Sequence, residues 1–279
     1  MVSLLLDCHE LAARLATDAP PVILDVRWTL GGASGASDFA KGHIPGAHFV
    51  DLDRELSAPP GHGRHPLPDA GAFEAAMRRH GVDGPRLVVA YDAATGTSAA
   101  RAWWLLRYFG HANTALLDGG YAAWIAAGLP TVSGDDHEPD PGDFAATPGG
   151  MPLIDADGAL AVAREGVLID ARAPERFRGE TEPVDPVAGH IPGARNVPAQ
   201  LTQTADGRFL SPAELRSRYA GAGVEPGRPV AVYCGSGVVA TEGVFAMGLA
   251  GIDAALYAGS WSEWITDPNR AIEMGDPVE

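Results

Sequence analysis

The sequence predicts an α/β protein built from two tandem copies of one domain, each a mainly parallel β-sheet flanked by helices. Two observations lead to this prediction. Short apolar runs alternate with helical stretches, and four landmarks of the first half recur in the same order in the second half. A chain of 279 residues is also long enough for two domains of ordinary size.

Four pairs of similar segments define the repeat. VILDVR recurs as VLIDAR, both copies contain GHIPGA, and a strand-like run that leads into a loop and a helix occurs twice. The pairs are 22–27 with 167–172, 42–52 with 189–199, 85–104 with 227–246, and 116–128 with 256–268. The copies lie 140 to 147 residues apart, so one domain has been duplicated.

Local patterns predict the elements of each half. The runs VILDV, LVVAY and VLID are almost continuously apolar, which is typical of strands buried on both faces. Helical stretches lie between them at 69–82 and 211–224. In the second of these, Ser211 is the expected N-cap, Pro212 the first helical residue and Glu214 the capping-box partner.

The stretch 131–150 is rich in Gly, Pro and Asp and has no periodicity, which predicts a linker. We therefore expect an N-terminal domain at 1–131, a linker at 132–150 and a C-terminal domain at 151–279.

Composition limits the classes of partner. With 20 basic and 36 acidic side chains, the formal charge is −16, which argues against binding nucleic acid or an anionic membrane. The apolar run near the N-terminus, three leucines followed by acidic residues, is too short and wrongly charged for a signal peptide. No apolar run approaches the roughly 18 residues of a membrane span. Cys8 and Cys234 form no CxxC pair, so we expect no metal site and a cytoplasmic protein.

The segment AVYCGSGVVA contains the expected reactive group. If 230–233 is a strand and a helix starts near Val239, then Cys234 lies at the carboxyl end of a parallel strand, where ligands bind. Gly235 and Gly237 allow the backbone amides of the loop to converge as an anion cradle at a helix N-terminus. This field should stabilise a thiolate or a persulfide.

A packed, inert cysteine is the alternative, because cysteine is among the most buried residue types. The duplication favours the reactive role. At the equivalent position of the first half stands Asp92, so the fold does not require sulfur there. One half carries a nucleophile and the other does not.

The tandem repeat, the two GHIPGA segments, the LDGG motif and the single cysteine loop in the second half together resemble a two-domain rhodanese-type sulfurtransferase. The resemblance implies two rhodanese-like domains, of which the N-terminal one is non-catalytic. It also implies that Cys234 takes a sulfane sulfur from a small donor and passes it, as a persulfide, to a thiol or to cyanide. No cofactor is implied, and the acceptors include thioredoxin-like and sulfur-carrier proteins.

The loop resembles that of 3-mercaptopyruvate sulfurtransferases, in which CGSGVT is usual. Gly235, Ser236, Gly237 and Val238 match that pattern as donor-binding residues, and Val239 stands in place of its threonine. Thiosulfate-using rhodaneses typically carry basic residues after the cysteine, which suits a doubly charged anion. The resemblance therefore favours 3-mercaptopyruvate and leaves thiosulfate as the alternative donor.

By the same resemblance, the loop serine works with a histidine and an aspartate from the first domain, so that the site lies between the domains. Ser236, His65 and Asp53 are the matching residues, with His62 as the competing histidine. Such a set makes chemical sense because the leaving enolate of pyruvate must be protonated.

A carboxylate donor also needs a cation. ERFRGETEP resembles the segment that supplies an arginine to the substrate, and Arg176 falls on the matching position. A guanidinium offers a two-pronged hydrogen-bonding edge to a carboxylate. A second arginine often follows in the family, but here the chain reads Val184-Asp185-Pro186. This departure keeps thiosulfate open as the donor.

Two other functions fit the sequence less well. A cysteine phosphatase of related fold needs an arginine where this chain has Ala240, so it is disfavoured. A non-catalytic sulfur-relay protein is disfavoured by the intact cysteine loop. His43 and His190 occur in both halves, which indicates a structural role, and Cys8 is expected to be a packed thiol.

Overall fold

The computed structural model of the chain describes residues 4–32, 35–134 and 139–276. The chain forms two compact units. The first consists of Met1–Ala58, Leu67–Met151 and Ala205–Phe209, and the second of Pro59–Pro66, Pro152–Thr204 and Leu210–Glu279. Two short segments thus pack with the unit formed by the other half of the chain. We call them the 59–66 arm and the 205–209 arm.

The first unit is a five-stranded sheet in which every paired strand is parallel. Its strands, in the order β1-β5-β4-β2-β3, are β1 (Leu5–Leu6), β2 (Val22–Asp25), β3 (Ala47–Phe49), β4 (Val88–Tyr91) and β5 (Thr114–Leu117). Its helices are α1 (Cys8–Leu15), α2 (Ala36–Lys41), α3 (Leu52–Glu55), α4 (Ala70–Arg79), α5 (Thr97–Tyr108) and α6 (Gly120–Ala126).

The second unit repeats this topology with the order β6-β10-β9-β7-β8. Its strands are β6 (Leu153–Ile154), β7 (Val167–Asp170), β8 (Arg195–Asn196), β9 (Val230–Tyr233) and β10 (Ala255–Tyr257). Its helices are α7 (Ala156–Glu165), α8 (Pro174–Phe177), α9 (Pro212–Gly221), α10 (Val238–Leu249) and α11 (Ser260–Trp264), with a 3-10 turn at Ala199–Thr202. The predicted α/β class and the parallel sheets are confirmed.

The local predictions about strands and caps also hold. All residues of β2, β4, β7 and β9 are buried. Ser211 caps α9, since its Oγ accepts the N–H of Glu214 at 3.3 Å and the Glu214 carboxylate accepts the N–H of Ser211 at 2.9 Å. The central strands β4 and β9 are each followed by a loop and a long helix, α5 and α10. These loops lie at the carboxyl ends of the parallel strands, where ligands bind in α/β proteins.

The repeated histidines have the same structural role in both units. His43 stacks on Phe39 at 3.7 Å, and its Nδ1 lies 2.9 Å from that residue's carbonyl oxygen. His190 stacks on Phe177 at 3.8 Å, with its Nδ1 2.8 Å from the Phe177 carbonyl. The structural role expected for both histidines is confirmed.

Part of the stretch predicted as a linker packs on the first unit. Phe144 is buried, and its ring lies edge-on to Phe73 at 6.1 Å. Residues 135–138 lie outside the described part of the chain. The boundaries at 131 and 151 stay a prediction.

No helix among the described residues has the length and hydropathy that a membrane span needs.

Candidate active site

Cys234 is the first residue after the central strand β9. Its backbone N–H donates to Ser260 Oγ at 3.0 Å, and its carbonyl accepts the N–H of Trp261 at 2.9 Å. Its side chain is buried, with 1% of the residue exposed. The start of α11 thus fixes the loop backbone on both sides of the thiol.

Ser260 is a positioning residue that the sequence reasoning missed. Its φ is +55°, the one positive φ outside glycine among the described residues, and such a conformation costs about 1–2 kcal/mol for a residue with a Cβ. The first unit has Gly120 there, also with a φ of +55°. The repeat therefore held a signal, since LDGG is replaced by YAGS.

The thiol of Cys234 lies at the N-terminus of helix α10. Gly237 is the N-cap of α10, and its N–H donates to Cys234 Sγ at 3.2 Å. A Cβ on Gly237 would lie 2.2 Å from the Ala258 carbonyl oxygen, and its φ is +82°, so this position requires glycine. Val238 and Val239 form the first turn, where backbone N–H groups have no partner within the helix.

The first unit shows what this kind of loop binds. There Asp92 follows β4, and its buried carboxylate accepts the Ser98 hydroxyl at 3.2 Å. Its backbone donors are the N–H groups of Ala94 (3.1 Å), Gly96 (2.9 Å), Ser98 (3.0 Å) and Ala99 (3.4 Å). Burial raises the pKa of Asp92, while these backbone hydrogen bonds oppose the shift. The first unit fills its anion cradle with its own carboxylate.

The two loops differ in length. Residues 92–96 separate β4 from α5, whereas the shorter loop 234–237 separates β9 from α10. Counted from the helix N-caps, Gly96 corresponds to Gly237, and both N–H groups point to the residue that follows the strand. In the second unit this amide, that of Gly237, therefore faces a thiol instead of a carboxylate.

The 59–66 arm brings a histidine to this loop. His65 Nδ1 lies 2.7 Å from Ser236 Oγ, and both residues are buried. The arm is attached through the N–H of Arg64, which donates to Ser262 Oγ at 3.1 Å. His62 is exposed. Of the two candidate histidines, the structure places His65 at the loop.

Two guanidinium groups lie over the same loop. Arg176, in α8, bonds Glu182 Oε1 at 2.7 Å and Asp185 Oδ2 at 3.0 Å through its Nη2. Arg64 Nη1 donates to Asp185 Oδ1. A Cβ placed on Gly235 would lie 2.7 Å from Arg64 Nη2 and 3.5 Å from Arg176 Nη1. Arg176 therefore lies beside the loop, while its role in binding a donor stays a prediction, and Arg64 is a second cation there that sequence reasoning missed.

The pKa values of the two carboxylates in this cluster, Asp185 and Glu182, are shifted in opposite directions. Burial raises the pKa of Asp185, against the effect of the Arg64 guanidinium. Burial would also raise the pKa of Glu182, but hydrogen bonds from Arg176 and from the backbone N–H groups of Asp185 and Val184 hold it below its usual range.

A repeat in the arms was the available signal for Arg64. GRH at 63–65 corresponds to GRF at 207–209. In the first unit the Phe209 ring lies 3.3 Å from where a Cβ on Gly96 would be. Each arm therefore presents a ring to the loop it packs against, and only the ring of the 59–66 arm can exchange a proton.

Asp53 belongs to the first unit, in α3, where its carboxylate accepts the indole N–H of Trp28 at 3.0 Å. The other predicted site residues, namely Cys234, Gly235, Ser236, Gly237, Val238, Val239, His65 and Arg176, all belong to the second unit. The catalytic role of Asp53 stays a prediction.

Cys8 lies at the start of α1 in the core of the first unit. It is 3% exposed, and burial raises the pKa of its thiol, so the expectation of a packed thiol is confirmed. Within the residues described, no cluster of three or more His, Cys, Asp or Glu side chains could hold a metal ion.

Comparisons with known proteins identify relatives that match both halves of the chain. A family model described as Rhodanese-like domain matches residues 7–127 and 155–267. A Pseudomonas aeruginosa protein named "Probable 3-mercaptopyruvate sulfurtransferase" is 48% identical over 283 residues, covering 98% of each chain. A Mycobacterium tuberculosis protein named "Putative thiosulfate sulfurtransferase SseB" is 43% identical over 276 residues, covering 97% of each chain. The crystal structure of SseA from Escherichia coli, described with the catalytic mechanism of 3-mercaptopyruvate sulfotransferases, matches with a TM-score of 0.83 and 32% identity, covering 94% of this chain and 100% of that one.

Proposed function

The chain belongs to the family of rhodanese-like proteins and is an enzyme of the sulfurtransferase class, and on this premise we propose that it uses 3-mercaptopyruvate as its sulfur donor and Cys234 as the sulfur carrier. The observation behind the proposal is the contact of 2.7 Å between Ser236 Oγ and His65 Nδ1. Ser236 is the second residue after Cys234 in the chain. A proton-transfer pair at this position suits a donor whose leaving group is an enolate.

In the proposed first half-reaction, the Cys234 thiolate attacks the sulfur of 3-mercaptopyruvate. The Sγ–S bond forms as the donor's C–S bond breaks, and the electron pair of that bond passes to carbon as the pyruvate enolate. Ser236, coupled to His65, supplies the proton that converts the enolate to pyruvate. The amide cradle at Gly237 and the first turn of α10 supports the negative charge of the persulfide.

In the second half-reaction, an acceptor thiolate or cyanide attacks the outer sulfur. The new bond forms as the S–S bond to Sγ breaks, and the electron pair returns to Cys234 as a thiolate. The acceptor leaves as a persulfide or as thiocyanate, so the cycle needs no external oxidant or reductant. We propose a cellular thiol, such as a thioredoxin-like or sulfur-carrier protein, as the natural acceptor and the cytoplasm as the compartment, because both cysteines are free thiols.

Thiosulfate is the second candidate donor, since the amide cradle also suits an inorganic anion and one close relative is named for that donor. Two features favour 3-mercaptopyruvate. Gly235 and Ser236 give the loop no cation after the thiol. The guanidinium groups over Gly235 are already paired with Glu182 and Asp185, which disfavours a dianion relative to a monoanion.

The test compares cyanide-dependent sulfur transfer from the two donors and measures the persulfide on the protein by mass spectrometry. We expect kcat/KM to favour 3-mercaptopyruvate by about tenfold or more, which corresponds to about 1.4 kcal/mol. Cys234→Ala should abolish both transfer and persulfide, whereas Cys8→Ala should retain them. A higher kcat/KM for thiosulfate would reverse the choice of donor, and transfer by Cys234→Ala would refute the nucleophile.

A further inference from the structure

We infer that Arg64, carried by the 59–66 arm, is a second donor-binding residue that acts with Arg176 on the carboxylate of the donor. This inference rests on the proposed function, because it concerns how a carboxylate donor is held at Cys234.

The two guanidinium groups converge on a single glycine. Arg64 Nη2 lies 2.7 Å, and Arg176 Nη1 3.5 Å, from the place where a Cβ on Gly235 would be. Gly235 directly follows the nucleophile and has no side chain to fill this space. A donor whose sulfur contacts Cys234 would therefore place its carboxylate beside these two cations, where charge-assisted hydrogen bonds are strong.

Asp185 binds both Arg64 and Arg176. Its side chain is 3% exposed, whereas those of Arg64 and Arg176 are 26% and 18% exposed. One of its oxygens accepts Arg64 Nη1 and the other accepts Arg176 Nη2 at 3.0 Å. The buried carboxylate fixes both guanidinium groups from one side, so their opposite sides stay directed to the loop.

Arg64 also retains capacity for a further hydrogen bond. Its Nε–H is buried and has no partner among the described residues. Arg176, in contrast, uses both its Nε and its Nη2 on Glu182, and its Nη1 is the Arg176 atom nearest to the Cβ position of Gly235. Each arginine thus offers one terminal N–H group toward the donor, which makes the carboxylate site a shared one.

The chain sequence accounts for this arrangement. The family's second arginine follows a Glu-Pro pair, and here Val184 follows Glu182-Pro183, so that position holds no cation. The next residue, Asp185, binds the arginine of the arm. The second cation beside Gly235 therefore comes from the 59–66 arm, next to His65, so that donor binding and proton transfer depend on the same short segment.

Arg208 provides a matched control. It occupies the same place in the 205–209 arm as Arg64 in the 59–66 arm, and it contacts Asp118 at 3.7 Å and Asp206 at 3.3 Å in the first unit, whose loop has no thiol. Replacing it removes an equivalent charge from an equivalent arm.

The experiment measures kcat and KM of Arg64→Ala, Arg64→Lys and Arg208→Ala with 3-mercaptopyruvate and with its methyl ester, which keeps the C–S chemistry but lacks the carboxylate charge. For Arg64→Ala we expect KM for 3-mercaptopyruvate to rise about tenfold or more, with KM for the ester unchanged. Arg64→Lys should recover part of the loss, because it keeps the charge without the two-pronged edge. Arg208→Ala should match the wild type with both donors.

The outcomes separate this inference from the proposed function. If the wild type transfers sulfur from neither donor, the proposed function fails. If the wild type is active and Arg64→Ala changes neither KM, or changes both equally, the inference is wrong and Arg64 only holds the arm in place. Thermal unfolding of each variant shows whether it is folded. If Arg64→Ala is unfolded, Arg64→Lys is the test of the inference: its KM must be higher than that of the wild type for 3-mercaptopyruvate and unchanged for the ester.

Discussion

His65 Nδ1 lies 2.7 Å from Ser236 Oγ, although 171 positions separate the two residues in the chain. The serine belongs to the loop that follows β9, and the histidine belongs to an arm that precedes α4 by only a few residues. The contact between the two side chains, which we propose transfers a proton, therefore exists only when the 59–66 arm is packed with the rest of the second unit.

We expect His65→Gln to lower kcat with 3-mercaptopyruvate by about 100-fold or more, the usual scale for losing a positioned proton donor. Ser236→Ala should have a similar effect, and the double variant should be little worse than either single one, because the two side chains act as a unit. His62→Gln is the control, since His62 is exposed. A loss confined to His62→Gln would contradict the assignment.

Gly237→Ala and Gly235→Ala should separate stability from donor binding. At Gly237 a Cβ would meet backbone at 2.2 Å with φ at +82°, so we expect activity to be lost and the melting temperature to fall by several degrees, since about 1–2 kcal/mol is at stake. At Gly235 a Cβ would meet only the ends of two flexible side chains, Arg64 at 2.7 Å and Arg176 at 3.5 Å. We expect Gly235→Ala to keep its melting temperature but to raise KM for 3-mercaptopyruvate; the reverse pattern would be inconsistent with the geometry.

Asp185→Asn should shift donor preference toward thiosulfate. With both carboxylates ionised, the net charge of the cluster is zero, from Arg64 and Arg176 against Glu182 and Asp185. The substitution removes one negative charge and so raises the net charge by one. The amide oxygen of the new asparagine can still accept a hydrogen bond from a guanidinium. A dianion gains about twice as much as a monoanion from that charge. The ratio of kcat/KM for thiosulfate to that for 3-mercaptopyruvate should rise, whereas Glu180→Gln, at an exposed site, should leave it unchanged. A constant ratio in both variants would rule out this electrostatic account.

Glu182 should contribute to acid sensitivity. Its pKa is lowered in the folded protein from an ordinary value of 4.5, so its stabilisation is present above that pH and is lost as pH falls through the lower, folded value. Melting temperatures of the wild type and of Glu182→Gln should therefore differ near neutral pH and converge as the pH falls below 4.5 and then through the lower, folded pKa. The exposed Glu175→Gln serves as control. A difference that grows toward acid pH would show the sign to be wrong.

The sequence was most informative where the structure is local. The buried strands, the cap at Ser211 and the loop around Cys234 depend on neighbours in the chain, and the repeat located the loop in the second half. Arg64 could not be placed this way, because its role depends on Asp185, 121 positions away, and on an arm that packs with the other half. The matched GRH and GRF segments held the signal, but their meaning required knowing which loop each arm contacts.

The exchange of arms also bears on how this protein could evolve. A gene that kept only residues 151–279 would encode Cys234 without His65 or Arg64, and one that kept only residues 1–131 would encode the 59–66 arm without the loop that it packs against. Neither product would contain the contact between His65 and Ser236, so a simple deletion cannot reverse the duplication and keep that contact. Selection on any reaction that needs the contact would therefore preserve both copies.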